Sequence, residues 1–388
     1  MASDHDLVLF GATGFTGALT AEYLARNAPS TCRWALAGRN RAKLEALRTR
    51  LAGINPNLAE LPLLHADVTD PGSLREVAGA AKVVVTTVGP YSLYGEPLVA
   101  ACAETGAAYL DLCGEPEFVD RMYLRHNARA RESGARLVHA CGFDSIPYDL
   151  GVFYTVKQLP KDVPLRVRGQ VRVAGQFSGG TFSSALAAAA RPVAMVRAAK
   201  ERSRTEPRPA GRKVHVPLGK PHRDPDTGHW LVPLPTIDPQ VVGRSAAAID
   251  AYGPDFTYTH YAAVKRLATI AAGAAGLGLV AVLAQIPPVR DALSKIRKPG
   301  DGPSEERRAK SWFKVRFLGE GGGKRVVTEV AGGDPGYGET AKMLGESALC
   351  LAFDDVPATS GQVTPAAAMG DALLARLVDA GIVFRLVR

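Results

Sequence analysis

The chain has 388 residues and a net charge of +9, with 46% hydrophobic side chains. That is enough for two domains with a sizeable core, and it excludes wholesale disorder. Five cysteines (Cys32, Cys102, Cys113, Cys141 and Cys350) form no CxxC pair, which excludes a disulfide scaffold and points to a reduced, cytoplasmic, metal-free protein. Asp4, His5 and Asp6 stand where a signal peptide would carry a basic and then an apolar run, so none is expected.

Four apolar residues, 7–10, lead into Gly11-Ala12-Thr13-Gly14-Phe15-Thr16-Gly17, and a helical pattern continues to about residue 26. Strand, tight glycine turn and helix N-terminus let backbone N–H groups approach a pyrophosphate, while the helix dipole favours its charge. Gly11, Thr13, Gly14, Phe15, Thr16 and Gly17 are therefore candidate cofactor-binding residues. A second strand, 33–37, ends at Gly38, Arg39 and Asn40, and a helix over 41–51 and a strand at 61–66 follow. Asp70-Pro71 opens the next helix, with proline at the turn where a missing N–H costs nothing. Residues 83–87 are β-branched and uncharged, the composition of a strand buried on both faces, and they break at Gly89-Pro90. Helices over 98–105 and 118–132 alternate with strands at 108–112 and 136–140. This alternation predicts an α/β fold with a doubly wound parallel sheet of Rossmann type.

The end of the second strand selects the cofactor. An acid there binds the ribose 2′-hydroxyl of NAD, but this chain has Gly38-Arg39. An arginine pairs with a 2′-phosphate that a carboxylate would repel, so NADPH is expected, with Asn40 and Arg41 as helpers. The competing reading is a solvated arginine at a strand end. Asp67, just past the third strand, is placed to meet the adenine amine, and Gly89 to let backbone pass close to the nicotinamide ribose.

Gly11-Ala-Thr-Gly-Phe-Thr-Gly17, Ala37-Gly-Arg39, Val88-Gly-Pro-Tyr91, Asp111-Leu-Cys-Gly-Glu115 and Gly142-Phe-Asp-Ser-Ile-Pro147 together resemble the saccharopine dehydrogenase-like oxidoreductases. The run 364–376, Thr-Pro-Ala-Ala-Ala-Met-Gly-Asp-Ala-Leu-Leu-Ala-Arg, is similar to the actinobacterial trans-acting enoyl reductases, which work beside polyketide synthases in making cell-wall lipids. The resemblance is strongest over 5–150 and 320–388. It implies NADPH-dependent reduction of a carbon–carbon double bond conjugated to a thioester carbonyl, with Val88 and Pro90 joining Gly89 in the cofactor site. It also implies an acyl thioester substrate, carrier-bound or held by a synthase. Saccharopine-forming enzymes bind an α-amino dicarboxylate through polar and basic side chains; the apolar middle of this chain suits a long acyl group better.

The expected domains are an NADP-binding domain at 1–145, an α+β domain with a mixed or antiparallel sheet at 146–335, and C-terminal helices at 336–388 that pack back on the first. Val/Arg alternation over 165–173 reads as a strand with one wet face. Gly179-Gly180 precedes a helix at 185–200 and marks either a plain turn or a close approach of ligand. Residues 203–240, rich in Pro, Arg and His without a period, read as a long loop or insertion. The 20 uncharged residues 267–286 include ten Ala or Gly, which makes a membrane span marginal. Surface association at the inner face of the plasma membrane, or a buried acyl-channel helix, is preferred. Residues 312–318 and 324–331 read as a hairpin joined by Gly319-Glu320-Gly321-Gly322-Gly323, and helices follow over 339–352 and 364–380.

Residues 197–223 hold nine Lys/Arg against two acids, and a second basic cluster runs over 295–316. Each reads as a solvated face, or as a docking surface for an acidic protein or anionic lipid; without a recognition module or interleaved aromatics, nucleic acid is not expected. Hydride transfer needs orientation above all, while enoyl reduction also needs carbonyl polarisation and a proton for the α-carbon. The candidates are Tyr91 and Tyr94 after the fourth strand and Asp144 and Ser145 after the sixth, at the carboxyl ends where ligands of open sheets bind. Each also has a packing or capping role open to it. Two other functions stand beside this one: a saccharopine-type amino-acid dehydrogenase, and a non-catalytic NADP-binding scaffold associated with lipid. A homodimer is compatible with any of them.

Overall fold

The computed structural model describes residues 3–175, 191–207, 209–266 and 302–388. The chain opens with strict alternation: β1 (His5–Phe10), α1 (Phe15–Asn27), β2 (Trp34–Gly38), α2 (Arg41–Ala52), β3 (Leu63–His65), α3 (Pro71–Ala80) and β4 (Ala81–Thr86). Two helices, α4 (Tyr91–Tyr94) and α5 (Glu96–Thr105), precede β5 (Ala108–Leu110), and α6 (Pro116–Ser133) leads to β6 (Arg136–Val138). Every pairing among these strands is parallel; Leu7 lies opposite Trp34 on one side and Val83 on the other.

The alternation of side chains along β1 explains the two helical layers. Leu7 and Leu9 join Leu24 of α1 and Leu44 of α2 on one face, while Val8 and Phe10 join Leu74 of α3, Leu98 of α5 and Phe118 of α6 on the other. A strand covered on both faces has no place for a charge, which is why these strands read as apolar runs. Each fully buried Leu or Val among them contributes roughly 1.5–3 kcal/mol. Local signals set the helix starts: Asp70 caps α3 by accepting from the Gly72 and Ser73 N–H groups.

After β6, α7 (Ile146–Val156) crosses to a second sheet. Its elements are β7 (Leu165–Ala174), α8 (Pro192–Thr205), β8 (Lys213–His215), β9 (His222–Arg223), β10 (Trp230–Pro233), α9 (Asp238–Ala248), β11 (Asp255–Val264), α10 (Glu305–Ala309), β12 (Trp312–Gly321) and β13 (Lys324–Gly332). The chain ends with α11 (Gly338–Phe353), β14 (Gly361–Val363), α12 (Pro365–Asp379) and β15 (Val383–Leu386). The second sheet has the order β15-β13-β12-β7-β11-β10-β9, with β8 also on β11. It is mixed: β7 and β8 run parallel to β11, and the other pairings are antiparallel. Val167 and Phe317 pack against α7, while Arg166, Arg168, Lys314 and Arg316 alternate onto the other face.

Three sequence expectations change. The stretch 203–240 is not a loop: it holds the end of α8, all of β8 to β10 and the start of α9. Strands of two to four residues are too short to show a period, and their partner β11 organises them. The β12–β13 hairpin turns at Gly322 and Gly323, with φ of 56° and 77°, a two-residue loop that allows pairing to continue to Gly321 and Lys324. Gly319 and Glu320 therefore belong to β12. Finally, α11 packs on α1 through Tyr23, which donates to Glu346 at 2.5 Å, while β14 adds the seventh strand beside β6 and β15 joins β13. The Gly179-Gly180 turn and the apolar stretch 267–286 lie outside the described residues. Among the described residues no helix is long and apolar enough to cross a membrane.

Candidate functional site at the carboxyl edge of the parallel sheet

The glycine turn sits at the carboxyl end of β1. The Gly14 N–H donates to the Gly11 carbonyl at 3.0 Å, and the Thr87 hydroxyl donates to that same carbonyl at 3.1 Å. A Cβ on Gly17 would lie 2.3 Å from the Gly11 oxygen, so only glycine lets α1 start this close to the turn. Helix α1 has no side-chain cap, which leaves its first N–H groups, at Phe15 and Thr16, without an acceptor. Thr13 and Gly14 are exposed beside them. Free donors at an uncapped helix start fit a dinucleotide pyrophosphate.

The neighbouring strand ends complete this edge. Arg39 is exposed and, among the described residues, unpartnered. The Asp67 carboxyl accepts from the Thr69 N–H and hydroxyl; these bonds hold it below the usual carboxylate range, with Arg39 adding to the effect. The two expected helpers are occupied differently. Asn40 caps α2 by accepting from the Lys43 N–H, and Arg41 donates to Glu45 and to the Leu63 carbonyl. After β4, Val88, Gly89 and Pro90 line the crevice, with a cis peptide between the last two.

Of the four proposed catalytic side chains, the structure gives Tyr91 a framework position. The Tyr91 phenol is buried; it donates to the Thr86 carbonyl at 3.2 Å and accepts from the Leu112 N–H at 3.1 Å, bridging the ends of β4 and β5. A hydroxyl engaged on both sides inside the framework is not presented to substrate. Ser145 is buried just ahead of α7 with its Oγ unpartnered. Tyr94 is 43% exposed on α4. Asp144 lies at the carboxyl edge of the sheet. Its Oδ2 lies 2.8 Å from where a Cβ on Gly114 would be, at the ends of β5 and β6, and burial pushes its carboxyl up to about 6.

The motif 111–115 supplies the scaffold under these groups. Buried Asp111 accepts from the Cys113 and Ala140 N–H groups, from the Tyr109 hydroxyl at 2.9 Å and from His139 Nδ1 at 2.6 Å. Glu115 accepts from the Tyr91 and Ser92 N–H groups at the start of α4. Burial pushes the Cys113 thiol up, so it is no nucleophile.

Beside Asp144 lies a polar cluster that the sequence did not disclose. Tyr148, on the first turn of α7, is 4% exposed, and its ring meets Phe143 at 5.5 Å and His260 at 4.9 Å. Its hydroxyl has no partner among the described residues. Burial, reinforced by Asp238 and Asp144, raises that phenol well above its usual range. His260, on β11, is pushed down to about 3 by burial; Nδ1 of its neutral ring shares a hydrogen bond with the Tyr258 hydroxyl at 2.9 Å, and Nε2 lies 3.8 Å from Asp238 Oδ2. Burial and the nearby Asp144 raise the Asp238 carboxyl well above the ordinary range. His260 Nε2 and Asp238 Oδ1 are both buried without a partner, and buried polar atoms of that kind mark places where a ligand or water belongs. A Tyr–Asp spacing of four residues at the start of α7 was the available signal; His260 and Asp238 carried none, because β11 and α9 had no recognised pattern.

Residues 7–138 match the saccharopine dehydrogenase NADP binding domain. The chain is 36% identical to a trans-acting enoyl reductase of Mycobacterium ulcerans over 419 residues, and 38% identical to one of Mycobacterium bovis over 418 residues. Each alignment covers 99% of this chain and 98% of the relative. Apo saccharopine dehydrogenase (L-Glu forming) of Saccharomyces cerevisiae has the same fold, with a TM-score of 0.57 over 98% of this chain and 99% of that one, at 12% identity.

Proposed function

Starting from a chain that belongs to the trans-acting enoyl reductase family and binds NADP(H), we propose that it reduces the carbon–carbon double bond of a polyketide or long-chain enoyl thioester in lipid biosynthesis, with NADPH as reductant. When bound, NADPH supplies the hydride for the β-carbon. The chain's own residues do the rest. Tyr148 keeps its proton and donates a hydrogen bond to the thioester carbonyl oxygen, where negative charge develops. Asp144 holds the proton that the α-carbon takes. Phe143 and Phe313, 5.1 Å apart, give the acyl chain an apolar wall beside Tyr148.

The observation that carries this reading is the Tyr148 hydroxyl, unpartnered among the described residues, next to Asp144 on the edge that bears the glycine turn. Arg39 is assigned to the 2′-phosphate; equal dissociation constants for NADPH and NADH would remove that assignment. The reaction is tested by following NADPH oxidation with trans-2-enoyl thioesters on coenzyme A and on a carrier domain of a synthase. Consumption with a saturated product is expected. NADPH binding without consumption on either carrier would favour a non-catalytic scaffold.

A further inference from the structure

The glycine turn is touched by a segment far from it in the chain. Phe15, the first residue of α1, has its ring edge-on to Tyr337 at 4.8 Å. A Cβ on Gly302 would lie 2.2 Å from the same ring, and the Arg308 guanidinium carbon is 6.0 Å from its centroid. Three residues that follow the second sheet's β11 thus close on the side chain that begins the phosphate-facing helix turn.

Among these, Arg308 has an unmet requirement. Its Nε is shut off from solvent and, among the described residues, has no hydrogen-bond partner. No carboxylate of the described residues pairs with it; Glu305 and Glu306, on its own short helix, are exposed and point their charge to solvent. A permanently charged guanidinium with a sealed, unsatisfied N–H calls for an acceptor, and an anion is the strongest one. The Phe15 ring that it faces begins α1, whose uncapped Phe15 and Thr16 N–H groups, among the described residues, also lack acceptors. The basic cluster 295–316, which the nucleotide-binding first third does not explain, contributes this charge.

We propose that Arg308 is a cofactor-binding residue whose guanidinium pairs with the pyrophosphate of NADP(H) on the first turn of α1. The inference rests on the reading of the glycine turn as the NADP(H) site. It adds that affinity for the dinucleotide depends on a residue some 170 positions beyond the last one in the matched binding domain, which ends at 138. The pyrophosphate, rather than the 2′-phosphate, is the partner because Phe15 starts α1, whereas Arg39 lies past β2.

The test measures dissociation constants of the full chain by calorimetry for NADPH and for 2′-AMP, which keeps the 2′-phosphate and lacks the pyrophosphate. Arg308→Ala is expected to weaken NADPH by about 10- to 100-fold and to leave 2′-AMP unchanged, with Arg308→Lys intermediate. The melting temperature without ligand reports that the variants are folded. NADPH affinity within twofold of the parent in a folded Arg308→Ala protein overturns the proposal, as does an equal loss for 2′-AMP, which would move the guanidinium to the other phosphate. Failure of the parent chain to bind NADPH would instead sink the underlying site assignment.

Discussion

Tyr91 and Tyr148 carry the same phenol, and what surrounds each hydroxyl separates their roles. Tyr91 bonds on both sides to the strand ends it bridges, whereas among the described residues Tyr148 meets rings and the field of two carboxyls without a hydrogen bond to its hydroxyl. Tyr148→Phe is therefore expected to lower kcat by about 100- to 1000-fold, the range for removing a donor to a developing oxyanion, while NADPH affinity measured by fluorescence stays unchanged. If Asp144 supplies the proton as proposed, it sets the pH dependence. With its carboxyl pushed up to about 6, the proton that the α-carbon needs is present below that pH and lost above it. The kcat profile should fall about tenfold per pH unit on the alkaline side, and Asp144→Asn should erase that limb along with most of the rate. A limb that survives in Asp144→Asn would assign the proton elsewhere.

At the scale of elements, buried polar groups tie helices of the two sheets together. On α7, Asp149 accepts from the Ala366 N–H at the start of α12 at 2.8 Å, and nearby the Ser245 and Thr364 hydroxyls pair at 2.6 Å. Burial pushes the Asp149 carboxyl up to about 7 from 3.8. The folded chain keeps this proton to neutral pH, while the unfolded chain releases it near 3.8, so stability is lost as pH rises from about 4 to about 7. Asp149→Asn keeps the acceptor for Ala366 and has no charge to bury; urea midpoints should become flatter with pH and higher at pH 8 than those of the parent. A second tie joins α6, α8 and α9. Arg202, 1% exposed, donates to Asp120 and Glu206 and lies 4.1 Å over the Tyr123 ring, and Arg244 shares both acids. Arg202→Ala leaves Asp120 buried with one partner fewer and should cost about 3–5 kcal/mol, read as a lowered melting temperature.

For the whole molecule, the C-terminal 50 or so residues hold the two sheets in one structure: α11 lies on α1, β14 extends the first sheet and β15 the second. Cofactor binding should report on this unit. NADPH at 100 times its dissociation constant should stabilise the chain by about 2.7 kcal/mol if only the folded form binds it. Protection should extend to α11 and to residues 302–309, because these pack against Phe15 and α1, as hydrogen exchange would show. Protection confined to the first 138 residues would mean that the distant segment does not sense the site.

The alternation of uncharged strands with helices and the glycine turn were legible in the sequence because each depends on local chemistry. A strand buried on both faces excludes charge, and a turn that starts a helix 2.3 Å from a carbonyl admits only glycine. Asp70 and Thr364 could be read as helix caps for the same reason, since a cap needs only the next three residues. The candidate site was only partly legible. Asp144 was a candidate by its place after the sixth strand, and the structure puts its carboxyl beside Gly114; Tyr91 could not be told from Tyr148 without knowing which hydroxyl already had partners. The cluster of Tyr148, His260 and Asp238 is drawn from α7, β11 and α9, and Arg308 meets Phe15 across almost 300 residues of chain. Such meetings leave no periodic trace: burial, orphaned polar atoms and shifted proton affinities come from which elements pack together, and only the tertiary structure decides that.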